Sequence, residues 1–228
     1  QVINYPGSTA GSLIMENIVI EDSLVNLIDV DFANVWISNV TATSASANSG
    51  NALAAEGDGT GSSIYVYNMD APDYSSVTIY SLDSISLEDV DLGSASVSIS
   101  PGGTSSTAAG PSGSSAMIDT LTSGSVTMTR TAPTLDNLDI GALTIMGNSP
   151  GSDPIMGENW DTDGISVSGC GYKVHGTTVT TDYVAGSCSN SASPNMITLG
   201  DVDATYTGTM NAVYAVSYTH LTLPTIRL

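Results

Sequence analysis

A short phrase recurs nine times along the chain: two apolar residues separated by one other residue. It stands at Ile18-Val19-Ile20 after Asn17, and at Val35-Trp36-Ile37 after Asn34. It returns at Val77-Thr78-Ile79, Ile85-Ser86-Leu87, Val97-Ser98-Ile99, Val126-Thr127-Met128, Leu143-Thr144-Ile145, Ile165-Ser166-Val167 and Ile197-Thr198-Leu199. Successive side chains on an extended strand point to opposite faces, so both apolar residues of each phrase face one way and the middle residue the other. In seven of the nine the middle residue is Ser or Thr, which makes that other face a wet one. A helix would need its apolar positions three or four residues apart. The phrase therefore prescribes short, half-buried strands and an all-β chain.

Two ways of arranging such strands compete. An antiparallel sandwich joins neighbours through two-residue turns such as Asn-Gly or Asp-Gly. The chain has no Asn-Gly, and its Asp-Gly pairs stand only at Asp58 and Asp163. Stacked parallel strands instead need long connections, small aliphatic residues inside and polar residues outside. One Phe and two Trp among many Ile, Val and Leu suit such a narrow interior. Asn17 and Asn34 are close to one solenoid turn apart. Ser-, Gly- and Pro-rich stretches at 44–62, 101–115 and 147–160 read as loops between strand blocks. Composition does not change across them, so one elongated domain is expected.

With these alternating aliphatics and their preceding Asn or Ser, residues 11–205 resemble the parallel β-helix superfamily, which includes pectate-lyase-like proteins and many microbial surface proteins. The resemblance implies a right-handed, single-stranded parallel β-helix with Gly/Ser-rich loop insertions. The expected organisation is a lead-in at 1–10, a single β-helix domain at 11–215, and a separate tail at 216–228. That tail, Val216 to Thr225 in particular, resembles one reading frame of a sequencing-library transposase adapter and is set aside. Gln1 is not an initiator, so a longer reading frame with a leader upstream is expected.

Charge narrows the partners. Twenty-three acidic residues stand against three basic ones, a formal charge of −20. Such a surface repels nucleic-acid phosphates and anionic lipid headgroups, and nucleic acid is not an expected partner. No apolar run approaches the ~18 residues of a membrane span. Low Lys and abundant Ser and Thr point to an extracellular or cell-surface address. Cys170 and Cys188 fit that address as a disulfide, which would remove roughly 3 kcal/mol of loop entropy from the unfolded chain.

Several motifs could carry chemistry. Trp160-Asp161-Thr162-Asp163-Gly164 resembles the Asn-Thr-Asp-Gly motif of polygalacturonase-type glycosidases, where carboxylates flank the scissile bond. On that resemblance Asp163 matches the motif's aspartate, and Asp161 stands where the family has asparagine. No Asp-Asp pair, Gly-His-Gly triplet or Arg-x-Lys follows, so no catalytic residue is assigned and Asp163 is the candidate only on the enzyme alternative. A lyase would need a basic residue, for which Arg130 and Lys173 are the choices outside the tail. Asp29/Asp31, Asp89/Asp91 and Asp201/Asp203 repeat an Asp-Val-Asp spacing, and Asp161/Asp163 shares it. Alternation turns both carboxylates of a pair to solvent, making these pairs calcium candidates, although calcium takes ~6 to 8 oxygens and no cofactor is required. Trp36 and Tyr65, as outward middle residues, are candidates for stacking on sugar rings. Asn39-Val40-Thr41 fits an N-glycosylation acceptor. The lone His175 has no partners at zinc-ligand spacing.

The expected role is therefore a non-catalytic, extracellular or cell-surface β-helix segment with a structural, adhesive or glycan-contacting function, its partners polysaccharides or surface glycans. The alternative is a fragment of a polysaccharide-active hydrolase or lyase of the same fold. An enzyme should gather Asp161, Asp163 and Lys173 or Arg130 into one groove, whereas a structural coil should scatter them.

Overall fold

The structure, a computed structural model, describes residues 2–3, 11–22, 25–30, 34–44, 50–57, 62–80, 82–101, 115–129, 134–146, 154–188 and 195–200. The tail at 216–228 lies outside these residues. Fourteen strands run through the described residues, and no helix occurs among them. They are β1 (Val2–Ile3), β2 (Ser12–Glu21), β3 (Val25–Val30), β4 (Asn34–Thr43), β5 (Asn51–Gly57), β6 (Ser63–Asp70) and β7 (Ser76–Tyr80). After them come β8 (Ser84–Asp91), β9 (Ser96–Ser100), β10 (Ser115–Thr129), β11 (Thr134–Met146), β12 (Ile155–Ser168), β13 (Lys173–Ser187) and β14 (Met196–Leu199). All nine phrases lie within strands. The expected lead-in is already partly structural, since Val2 and Ile3 pair with Asn26 and Leu27.

Every described pairing is parallel. That excludes the antiparallel sandwich, as the scarcity of hairpin turns anticipated. Up to β10 each strand pairs with the strand two places on. β2, β4, β6 and β8 form one stack and β1, β3, β5, β7 and β9 another within a single sheet. The first half of β10 then pairs with β8 and its second half with β9, so one long strand spans both stacks. β11, β12 and β13 continue as equally long strands.

Lateral register carries the phrases into columns. Met15, Ile37, Val66, Leu87, Ile118 and Leu135 are successive partners, and from Ile37 onward each is buried. Val77, Val97, Val126, Leu143 and Ile165 form a second buried column on the other stack. Both columns belong to one contiguous apolar core. Alternation is strict in β7, where Val77 and Ile79 are buried and Ser76, Thr78 and Tyr80 are not. At 25 cal/mol per Å² such aliphatic side chains contribute roughly 1.5–3 kcal/mol each when fully buried, and this repeated burial is what selects the register.

One position per pass breaks the alternation. Pairing runs from Glu16 with Ser38 to Ile18 with Val40 and passes over Asn17 and Asn39. Asn17, Asn39, Asn68, Asp89, Thr120, Asn137, Asn159 and Thr178 all occupy this place with φ between 52° and 58°. Asn and Asp tolerate the left-handed region better than other L-residues because a short polar side chain can bond locally. Here the side chains bond along the stack. Asn39 Nδ2 donates to Asn17 Oδ1 at 3.1 Å and Asn68 Nδ2 to Asn39 Oδ1 at 2.8 Å. Further on, Asn137 Nδ2 donates to Asp119 Oδ1 at 2.7 Å, and Asn159 Nδ2 to Asn137 Oδ1 at 2.9 Å.

This column corrects the spacing read from the sequence. Asn17 is equivalent to Asn39, 22 residues on, whereas Asn34 pairs with Ser12 at the head of its strand. The error arose because the phrase occurs on both sides of the left-handed position, after it in β2 and before it in β4, so neighbouring copies in sequence need not be neighbours in register. Asn39, the expected glycosylation acceptor, already bonds through both its amide nitrogen and its oxygen.

The end of the sheet shows a different kind of fit. Leu135, Gly157, Gly176 and Leu199 are successive partners, so two passes lack a side chain where the others carry an aliphatic one. Trp160 fills the gap. A Cβ on Gly157 would stand 2.8 Å from Trp160 Nε1, and one on Gly176 would stand 2.9 Å from its Cζ3. The indole is buried, and its Nε1 donates to the Leu135 carbonyl at 2.6 Å. The largest side chain in the core is thus matched to its two missing ones.

Candidate functional site

The outward side chains divide the surface into dissimilar bands. On the first stack Ile14, Trp36, Tyr65, Ser86 and Met117 are successive register partners, continuing through Thr134 to Met156. This band is apolar although it faces solvent: Ile14 is 64% exposed, Trp36 44%, Met117 44% and Met156 47%. Trp36 and Tyr65, both singled out by their middle positions, are brought together. Their ring centroids are 4.1 Å apart at a tilt of 36°, and Tyr67, two residues along, stands 6.3 Å from Tyr65 at 10°. Stacking in register uses part of each ring on its neighbour and leaves much of Trp36 to solvent.

Tyr65 is held from the next pass. Its hydroxyl donates to Glu88 Oε2 at 2.6 Å, a short bond to an acceptor two residues along the neighbouring strand from its register partner Ser86. The phenol is pushed up to about 12, first by this hydrogen bond to Glu88, then by lost hydration and by the surrounding negative charge. Ser86, beneath the same band, has a buried Oγ without a hydrogen-bond partner.

Two residues farther along each strand lies an acidic band. Glu88, Asp119, Asp136 and Glu158 are register partners on four consecutive passes. Past the left-handed corner a second one follows, in which Asp70 faces Asp91 and Asp139 faces Asp161. Register partners in a sheet are about 4.8 Å apart, so these carboxylates form ladders of like charge.

The acidic pairs named for calcium divide accordingly. Asp89 and Asp91 are both exposed, but Asp89 is a left-handed corner residue, and Asp91 Oδ1 accepts from the Gly93 amide at 3.0 Å. Of Asp29 only the backbone is described, while Asp31, Asp201 and Asp203 lie outside the described residues. Among the described residues no three His, Cys, Asp or Glu side chains converge as a metal site would need.

The glycosidase-like motif is built into strand β12, where the pairing with β11 passes over Asp163 and Gly141. Trp160 is core and Thr162 is buried, its Oγ1 accepting from the Gly164 amide at 3.3 Å. The side chain that bonds the backbone here is thus Thr162. Asp163 is exposed above Gly141, whose added Cβ would lie 3.5 Å from Asp163 Oδ2. Asp161 faces Thr180, seven residues along β13 from its first residue Lys173. Lys173 is exposed at the strand head, and Arg130 lies outside the described residues.

From β7 onward the central outward column of the second stack carries no charge. Thr78, Ser98, Thr127, Thr144 and Ser166 form it. Cys170 and Cys188 form a disulfide with their Cα atoms 4.8 Å apart, joining the chain just before β13 to the chain just after it.

Glu88, Tyr67 and the left-handed column were missed by sequence reasoning. A pattern of Asn, Asp or Thr two residues after an inward aliphatic or glycine and one before an apolar residue would have found the column. Family models, curated proteins and solved structures were all compared with the chain, and none matches.

Proposed function

We propose that the chain is a right-handed parallel β-helix, related in architecture to pectate-lyase-like proteins, that serves outside the cell or on its surface as a glycan-contacting segment. Three observations support the winding: parallel pairing throughout, two interleaved stacks that fuse into long strands at β10, and one core shared by both. A crystal structure in which β2 to β9 lay as an open sheet, without the two stacks enclosing that core, would refute it.

The observation that carries the functional reading is the Trp36–Tyr65 pair, exposed on an outer face and fixed by Glu88. Pyranose rings present flat C–H faces, and rigid aromatic side chains meet them at small entropic cost. Neighbouring hydroxyls and carboxylates supply hydrogen bonds to sugar hydroxyls. No helix among the described residues is long and apolar enough to cross a membrane.

The experiment is a panel of soluble oligosaccharides titrated against the wild type and the Trp36→Ala/Tyr65→Ala double variant. Binding that falls at least about tenfold in the variant, with the melting temperature held within a few degrees, supports the reading. Binding that is indifferent to both rings overturns it.

The alternative, a fragment of a polysaccharide hydrolase or lyase, is favoured by the Asp163 motif alone. Against it stands the register that puts Lys173 seven residues from the partner of Asp161.

A further inference from the structure

We propose that the Cys170–Cys188 disulfide is a redox-sensitive clamp on the last long turn of the coil: it holds that turn closed, and its reduction lets the turn peel away while the earlier passes stay folded. The inference rests on the winding proposed above and adds a switch to it.

The clamp follows from how far a chain can reach. β12 has 14 residues and β13 has 15; they pair in parallel from Ile155 with Val174 to Ser168 with Ser187, and only residues 169–172 join them. A straight strand of 14 residues is about 46 Å long, whereas the five steps from Ser168 to Lys173 reach at most ~18 Å. Each strand therefore has to bend back on itself. The pairing marks where, passing over Asn159 and Thr178 and again over Asp163 and Asp182. The third corner is the connection, with Gly169 at φ 119° and Gly171 at φ 83°. Cys170 lies in it, and Cys188 comes to the same corner one pass later, so their Cα separation of 4.8 Å is that of adjoining strands. The bond thus ties together the two ends of one complete turn.

Packing holds the far end of that turn weakly. Ile99, Met128, Ile145 and Val167 are successive buried partners, but the next is Gly186, whose added Cβ would meet nothing within 4 Å. β14 pairs with β13 only from Lys173 to Gly176. The cross-link stands where the aliphatic column stops, and both cysteines are only half-buried, within reach of a small thiol. A dithiol breaks the bond by two successive exchanges: two electrons and two protons pass to the cysteines, which become thiols, and the reagent closes into its own disulfide. The turn then opens as a local unit.

The test treats the folded protein with dithiothreitol well below its melting temperature, with reduction verified by mass spectrometry. The expected result is that hydrogen exchange at the amides of residues 179–187 paired with β12 quickens at least about tenfold, while β6 to β11 keep their protection. Limited chymotrypsin digestion should cut after Tyr183 only in the reduced protein, and reoxidation should reverse both changes. The Cys170→Ser/Cys188→Ser variant should show the opened turn without reductant. Unchanged exchange in β13 after reduction overturns the clamp, and so does loss of protection in all strands together, which marks a staple of the whole fold. Two free thiols in the protein as isolated overturn it as well. These results leave the winding standing; an open sheet in the crystal, which refutes the winding, removes the clamp with it.

Discussion

At the scale of single residues, backbone conformation and hydrogen bonding are combined in the left-handed column. Asn137 has φ 52°, donates to Asp119 and accepts from Asn159. Replacing it by alanine keeps the unfavourable φ, a cost of about 1–2 kcal/mol for an ordinary L-residue, and removes two solvent-exposed bonds of about half a kcal/mol each. Asn137→Gly removes the same bonds but adopts the conformation without steric cost. Denaturant unfolding should therefore rank wild type above Asn137→Gly, and the glycine variant above Asn137→Ala. Alanine matching glycine would mean that φ is not the governing factor. Tyr65 gives a second residue-level test. Its native pKa lies above the ordinary 10.0, at about 12, so the native state holds the proton more tightly than the unfolded chain. The sign follows: this contribution is complete below pH 10 and is lost as pH rises toward 12. The side chain is partly exposed, so screening keeps the energy small. Phenolate absorbance should show one tyrosine titrating late, and Glu88→Gln should bring that midpoint down toward 10 because the hydrogen bond to the carboxylate is its first cause.

At the scale of elements, the glycines of the last strands test how tightly neighbouring passes are fitted. A Cβ on Gly157 would collide with the Leu135 carbonyl and stand 2.8 Å from Trp160 Nε1, both fixed by the hydrogen bond between them. A Cβ on Gly186, in the adjoining strand, would meet nothing within 4 Å. Thermal melts should show Gly157→Ala losing about 3 kcal/mol or more, and Gly186→Ala within about 0.5 kcal/mol of wild type. Equal effects would show that Trp160 does not need the space that Gly157 leaves. Strands of this kind were legible in the sequence because alternation of Val, Ile and Leu with Ser and Thr reports directly on one buried face. Their parallel order was legible through the missing hairpin turns. What the phrase could not reveal was register. Ser12 pairs with Asn34, Asn34 with Ser63 and Ser63 with Ser84, so successive passes span 22, 29 and 21 residues. Loops of variable length absorb those differences, and no fixed period survives for a sequence comparison to detect. The same irregularity hid Glu88 from Tyr65, which are 23 residues apart, while the Trp36–Tyr65 pair could be flagged because both residues are aromatic at outward positions.

At the scale of the whole molecule the governing quantity is a net charge of −20, part of which stands in ladders among the described residues. Two unit charges at the strand spacing of about 4.8 Å repel by somewhat under 1 kcal/mol in water, and the Asp70–Asp91 and Asp139–Asp161 steps place carboxylates at that spacing. The unfolded chain carries the same charges but is free to spread them, so the folded state bears the larger share. Screening shortens from ~10 Å at 0.1 M to ~3 Å at 1 M salt, which is shorter than the ladder step. Sodium chloride raised from low millimolar to about 1 M should therefore lift the melting temperature by several degrees, since each kcal/mol recovered moves a domain of this size by about 2–4 °C. Calcium separates diffuse screening from a bound ion. Calcium takes ~6 to 8 oxygens, whereas each facing pair of carboxylates supplies at most four. At matched ionic strength, millimolar calcium should therefore stabilise the protein no more than sodium does. A calcium melt standing well above the sodium one, and collapsing to it in Asp161→Asn, would instead show that the Asp139–Asp161 step holds the ion.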